Sequence, residues 1–249
     1  MKKIIGILSA AACAAVLMSC ASTGGAKKAT GPYTIKAGDG VVGYYNFEEC
    51  EDDTMPDVSG NGMDIFSNGL DGLEIVEGYN GGSAMYFNGE DEYISLDSMV
   101  IEGEGCTLAM WVNPTSWKDW ARVFDIGNCV EDAWCGMDWN TKMLRMDLIG
   151  AAGNCSILSP LPVTNKWTHI AAVFGDGKAA LYVNGKLAQK LTCPVTTANL
   201  AASVNGVYIG RSNWADPLYC GAMDDLLVAN RAFSDEEIAA VYNGVVVEE

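Results

Sequence analysis

Two tight turns within twenty residues limit what this chain can fold into. The stretch Trp167 to Lys186, WTHIAAVFGDGKAALYVNGK, opens with an apolar, partly β-branched run to Phe174. It turns at Gly175-Asp176-Gly177-Lys178, returns through Leu181-Tyr182-Val183 and turns again at Asn184-Gly185. Asn and Gly tolerate the positive φ that a two-residue type I′ turn demands, and that turn suits the twist of antiparallel strands. Successive hairpins imply an antiparallel sheet rather than an α/β core, whose parallel strands need long crossovers.

Similar signals recur along the chain. Strands are predicted at Val41–Phe47, Ala84–Phe87, Tyr93–Leu96, Cys106–Asn113, Arg122–Ile126, Lys142–Leu148, Val207–Ile209 and Gly221–Ala229, most of them separated by turn residues. Asn88-Gly89, between the second and third, reads as a hairpin or bulge. Cys106, Leu108, Met110 and Val112 alternate with Thr107, Ala109 and Trp111, so one set faces a core. One helix is expected. Ser234-Asp235-Glu236-Glu237 is a capping box, and Ile238, Val241 and Tyr242 follow as the packing face. The reading is an all-β, antiparallel two-sheet sandwich with one short C-terminal helix, in a single domain over residues 41–249.

The N-terminus carries an address. Met1-Lys2-Lys3 is a basic start, and Ile4 to Leu17 is apolar but too short for a permanent transmembrane helix. Leu17-Met18-Ser19-Cys20 resembles a bacterial lipobox, which implies a signal peptide over 1–19 and a lipid on Cys20; an ordinary secretory signal is the plainer alternative. Ser22, where an Asp would suggest inner-membrane retention, points to an outer-membrane lipoprotein, periplasmic or surface-exposed. Residues 20–40, rich in Ser, Thr, Gly, Ala and Lys, read as a flexible tether.

Thirty-two acidic side chains against fifteen basic ones give a formal charge of −17. Such a surface repels nucleic acid and anionic lipid headgroups, so a nucleic-acid partner is excluded. It suits neutral sugars, cationic partners or divalent cations, or simply solubility.

Of nine cysteines, Cys13 leaves with the signal and Cys20 is the lipid site. An exported chain meets an oxidising compartment, so disulfides are expected, and the odd number remaining leaves at least one thiol out. Cys129 and Cys135 flank VEDAW and could staple one loop. Cys106 reads as a small buried hydrophobe. One histidine and no Cys-x-x-Cys argue against zinc.

Tryptophans supply candidate sugar platforms, because an indole face stacks on the apolar face of a pyranose. Trp117 and Trp120, in a predicted loop, are the candidate ligand-binding pair; Asp119, Asp132, Asp138 and Asn140 could accept hydroxyl hydrogen bonds. Trp134, Trp139 and Trp214 read as packing residues, and Trp111 and Trp167 as core.

Nine ordered segments resemble the laminin-G-like jelly roll of the concanavalin A-like lectin/glucanase superfamily. They are YNFE (45–48), DVSGNG (57–62), GSAMYFNG (82–89), WVNP (111–114), WTHIA (167–171), LYVNGK (181–186), IGR (209–211), GAMDD (221–225) and SDEEI (234–238). The resemblance implies a calcium ion near the meeting of first and last strands, with Asp57, Asn61 and Asp224 as ligands and Glu48 as a further donor. Asp57 and Asn61 could equally cap their own loop. If the first and last strands pair antiparallel, Cys50 lies past the end of one and Cys220 just before the start of the other, so a Cys50–Cys220 disulfide is expected. His169 falls at a scaffold position, and no segment resembles the Glu-x-Asp-x-x-Glu pattern of glycanases on this fold. The expected protein is therefore not an enzyme but a lectin-like envelope lipoprotein. Its partner would be a glycan or a surface protein, with a purely structural role or, further off, glycoside hydrolysis as alternatives.

Overall fold

A computed structural model describes residues 40–50, 54–66 and 74–244. The signal peptide, Cys20 and nearly all of the tether lie outside the described residues. The early strands are β1 (Val41–Tyr45), β2 (Thr54–Met55), β3 (Ile65–Phe66), β4 (Glu74–Glu77), β5 (Ser83–Asn88) and β6 (Ile94–Leu96). The middle ones are β7 (Gly105–Ser116), β8 (Arg122–Gly127), β9 (Asp132–Met137), β10 (Leu144–Gly150) and β11 (Gly153–Ser159). Then come β12 (Thr168–Gly175), β13 (Lys178–Val183), β14 (Lys186–Thr192), α1 (Thr197–Ala201), β15 (Gly206–Ile209), β16 (Cys220–Ala229) and α2 (Asp235–Tyr242).

All pairings are antiparallel. The larger sheet runs β14-β13-β12-β7-β16-β5-β4, with β1 also on β16; the facing sheet runs β11-β10-β9-β8-β15-β6. The two turns of the 167–186 stretch form as expected: Asp176 (φ 51°) and Gly177 (φ 68°) join β12 to β13, and Asn184 (φ 51°) and Gly185 (φ 70°) join β13 to β14. Asn88-Gly89 does not close a hairpin. β5 lies in the larger sheet and β6 in the facing one, so this turn carries the chain between layers.

The alternation on β7 sorts as read. Cys106, Leu108, Met110 and Val112 join Phe124, Ile126, Cys135, Leu144, Met146 and Ile157 between the sheets, whereas Ala109 belongs to a second cluster on the outer face of the larger sheet. Helix α2 covers that outer face with Ile238 and Val241, its start fixed by the Ser234–Glu237 capping box. With one outer face sealed by a helix, the outer face of the smaller sheet is the broad surface left for function.

The cysteine pairing differs from both expectations. Cys155 on β11 bonds Cys193, just past β14, with 5.6 Å between Cα atoms. It joins the edge strands of the two sheets. Cys50, Cys106, Cys129, Cys135 and Cys220 are free thiols. Cys135 points from β9 into the core, while the Cys129 sulfur turns toward the Asn213 carbonyl, 2.9 Å away. Cys50 and Cys220 are kept apart because β1 stops opposite Leu226 of β16, and β5 occupies that strand's edge from Met223 back to Cys220.

Candidate functional site

The strand registers lay one row of side chains across the outer face of the smaller sheet. Ser95 on β6 lies opposite Tyr208 on β15, then Asp125 on β8, Trp134 on β9, Asp147 on β10 and Ser156 on β11. Their strand neighbours point inward to the core, so a row that alternates polar and aromatic groups is the reverse side of an apolar layer. A second row holds Arg122, Gly136, Arg145 and Leu158. Gly136 is needed there. A Cβ at that position would run into the Ala121 carbonyl and lie 2.9 Å from the Arg122 Cα. The bare glycine lets two arginines approach Trp134 from either side, with guanidinium carbons 3.6 Å (Arg122) and 5.6 Å (Arg145) from its ring centroid.

The charges here are paired and largely buried. Arg122, 5% exposed at its side chain, contacts Asp125 at 3.5 Å and Asp216 at 3.2 Å. Burial pulls its pKa down against the pull of those carboxylates. Asp125 also accepts from Ser212 and Asn213, whose loop folds back over it. Burial, then the nearby Asp125, pushes the Asp132 carboxyl up to about 7. Arg145 contacts Asp147 at 2.6 Å and Asp138 at 3.2 Å. At Asp138 burial works upward, but the Thr141 hydroxyl and amide and Arg145 outweigh it and hold the carboxyl below its ordinary value.

Where β9 turns into β10, this face opens into a cleft of about 440 Å³ lined by Asp138, Trp139, Asn140, Thr141, Arg145, Ser156 and Leu158. Trp139 is 52% exposed. Trp120 (φ 68°) lies beside it, with ring centroids 6.5 Å apart, and packs edge-on against the buried Trp134 at 6.0 Å. The tryptophans thus form a graded wall: buried Trp134, half-buried Trp120, exposed Trp139.

The expected pair Trp117 and Trp120 is divided. Trp117 donates its indole N–H to the Pro162 carbonyl and sets its ring against Tyr219, which makes it an anchor of the sandwich. Two tryptophans read as packing residues are instead exposed, Trp139 and Trp214 (54%). Of the expected hydroxyl partners, Asp119 pairs with Lys142, Asp132 is buried, Asp138 lines the cleft, and Asn140 is exposed at its rim.

Each expected calcium ligand is hydrogen-bonded to backbone. Asp57 accepts from the amides of Tyr44, Ser59 and Met63, and Asn61 donates to the Val41 carbonyl. Asp224 accepts from the Tyr79 amide at 2.8 Å, and Glu48 from the Ser83 amide at 3.1 Å. The turn from Gly78 to Ser83 is bare on the side these carboxylates approach. A Cβ at Gly78 would meet the Ser83 carbonyl at 2.6 Å and the Asp224 carboxylate at 2.8 Å, and one at Gly82 would run into Glu48. That cradle gathers hard oxygen donors of the kind calcium takes, whereas Asp57 and Asn61 close the 57–63 loop. No group of three or more His, Cys, Asp or Glu arranged to hold a metal occurs among the described residues.

The family described as the concanavalin A-like lectin/glucanases superfamily matches residues 88–239, more than half of the chain. No curated protein matches significantly. Domain 4 of AbnA, an extracellular arabinanase from Geobacillus stearothermophilus solved with arabinotriose, superposes with a TM-score of 0.62 at 20% identity, over 81% of this chain and 98% of that one. The binding domain of botulinum neurotoxin DC in complex with SialylT gives 0.59 at 14% identity, over 84% of this chain and 52% of that one. Trypanosoma rangeli sialidase gives 0.55 at 21% identity, over 82% of this chain but 32% of the sialidase. At these identities the likeness is one of fold.

Proposed function

This chain belongs to the concanavalin A-like lectin/glucanases superfamily, and from that premise we propose that it binds carbohydrate, without cleaving it, on the outer face of its smaller sheet. The observation that carries the proposal is Trp139, held 52% exposed at the mouth of the cleft with Asn140, Thr141 and Ser156 around it. An exposed indole beside hydroxyl and amide groups is what a sugar ring needs: an apolar face to stack on and polar atoms to reach its hydroxyls. Of the carboxylates on this face, Asp125 and Asp132 are buried. At Asp138, which lines the cleft, burial is outweighed by Thr141 and Arg145, which hold the carboxyl below its ordinary pKa, so it carries no proton to donate. A general acid has to reach the scissile bond, so this burial favours binding. Arabinotriose and SialylT accompany two of the similar structures, which supports a glycan as the ligand class.

Trp139→Ala is expected to weaken binding to a responsive glycan on an array about tenfold, the scale of one lost aromatic stacking contact. Trp117→Ala is expected to act through stability only. Unchanged affinity in a folded Trp139→Ala protein would remove this reading.

Two further proposals complete it. Calcium would be held at the bare Gly78–Ser83 turn by Asp224, Glu48 and the Ser83 carbonyl, joining the β4–β5 connection to β16. Millimolar calcium is then expected to raise the melting temperature, by about 2.7 kcal/mol of stability at a hundredfold excess over Kd. Asp224→Asn should abolish the shift, and a melting curve indifferent to both calcium and chelator would dispose of the site. Lipid on Cys20 would hold the domain at the outer membrane. Among the described residues no helix is long and apolar enough to cross a membrane. Cys20→Ala is expected to move the protein into the soluble fraction; retention in the membrane fraction would refute the anchor.

A further inference from the structure

All four arginines of the chain are described, and three of them contact carboxylates: Arg122 with Asp125 and Asp216, Arg145 with Asp138 and Asp147, Arg231 with Glu237. Arg211 makes no hydrogen bond or ion pair among the described residues. In a chain with thirty-two acidic side chains and fifteen basic ones, that is the less expected condition. Its guanidinium is nonetheless held in place, 4.4 Å from the Tyr93 ring centroid and 4.7 Å from that of Tyr208. The two rings meet edge to face, 5.6 Å apart. The backbone leading to Arg211 is pinned as well: the Gly210 amide donates to Val123 and its carbonyl accepts from Tyr219. Gly206 leaves the room that Tyr208 fills, since a Cβ there would run into the Tyr208 ring.

We infer that Arg211, framed by Tyr93 and Tyr208, is a binding site for the carboxylate of an acidic sugar; the inference rests on the carbohydrate reading above. The two rings lie to one side of the guanidinium, close to each other and perpendicular, and its remaining N–H donors form a planar fork that a carboxylate meets with two parallel hydrogen bonds. Tyr208 stands in the same cross-strand row as Ser156 of the cleft, four strand spacings away. At about 4.8 Å per spacing the two lie roughly 19 Å apart on one face, so a single acidic oligosaccharide can reach both.

The test follows the four arginine Nε–Hε resonances of the folded chain during titration with sodium glucuronate. Methyl glucoside and sodium chloride at equal ionic strength serve as controls. Arg211 is expected to shift saturably with glucuronate and not with either control. Arg211→Gln should abolish glucuronate binding, and Arg211→Lys, which keeps charge but not the fork, should weaken it about tenfold. A shift matched by chloride, or glucuronate binding that survives Arg211→Gln, overturns the inference. Trp139→Ala, read with neutral oligosaccharides, separates the two ideas. Neutral binding lost with Trp139 while Arg211 stays silent overturns this site and leaves the cleft. A responsive Arg211 with neutral binding unaffected by Trp139→Ala supports this site and overturns the cleft.

Discussion

His169→Leu is expected to make the chain's stability rise toward acid between pH 4 and 6.5. His169 sits on β12 opposite Trp111, 1% exposed, with the rings of Trp111 and Tyr242 at 5.3 and 5.6 Å and neither imidazole nitrogen hydrogen-bonded. Burial lowers its pKa to about 3. In the unfolded chain an imidazole titrates near 6.5. Between these values the unfolded state holds a proton that the folded state refuses, so stability falls as pH falls from about 6.5 to about 3. At about 1.4 kcal/mol per pH unit the loss over that window is about 5 kcal/mol. Asp132 works the other way. Its folded carboxyl titrates at about 7 and its unfolded one near 3.9, so the folded state holds the extra proton and stability rises as pH falls across that window. The opposed slopes largely cancel in the wild type. Urea midpoints at pH 4, 5 and 7 should therefore rise toward acid in His169→Leu and drop toward acid in Asp132→Asn. Two variants that simply parallel the wild-type profile would show that neither group titrates as its burial implies.

The same two residues show how far the sequence could be read. His169 was legible as a scaffold position through the resemblance of WTHIA (167–171) to the family, and its strand through an apolar run followed by tight turns. Local chemistry of that kind also carried α2, whose capping box needs only four consecutive residues. Asp132 reads as an ordinary acid in a charged loop. It is buried because β9 is a strand that sets it beside Asp125 of β8, with the Cys129 amide donating to it. β9 itself, DAWCGM, is short and contains Gly136, so it gave no strand signal. Without it the following Asp138 to Lys142 could not be read as a hairpin tip, and Trp139 could not be read as exposed. Trp117 failed in the opposite sense. Its polar neighbours suggested a loop, and its indole found the Pro162 carbonyl on another one. The disulfide was beyond reach for the same reason, since it depends on which two sheet edges meet.

That disulfide carries the other large effect. Cys155 and Cys193 are 38 residues apart, and the loop they close restricts the unfolded chain by about 4 kcal/mol on the chain-entropy account. Cys155→Ala with Cys193→Ala, or reduction of the wild type, is expected to lower stability by about that amount, read as a drop in the urea midpoint with a larger m-value, because the denatured chain is no longer cross-linked. The bond has a functional consequence as well. β11 is the edge strand of the smaller sheet and pairs only with β10, and it supplies Ser156 and Leu158 to the cleft. The disulfide ties that edge to the chain leaving β14 on the other sheet. With the bond removed, β11 is expected to show faster amide exchange than β9 or β10, and glycan affinity to fall even under conditions where the protein is fully folded. Trp139→Ala should lower affinity without changing that exchange, so the two variants separate loss of a contact from loss of the wall that positions it. A reduced protein with an unmoved urea midpoint would refute the stabilising role. A folded, reduced protein with unaltered glycan affinity would show that the β10 ladder alone keeps the cleft in shape.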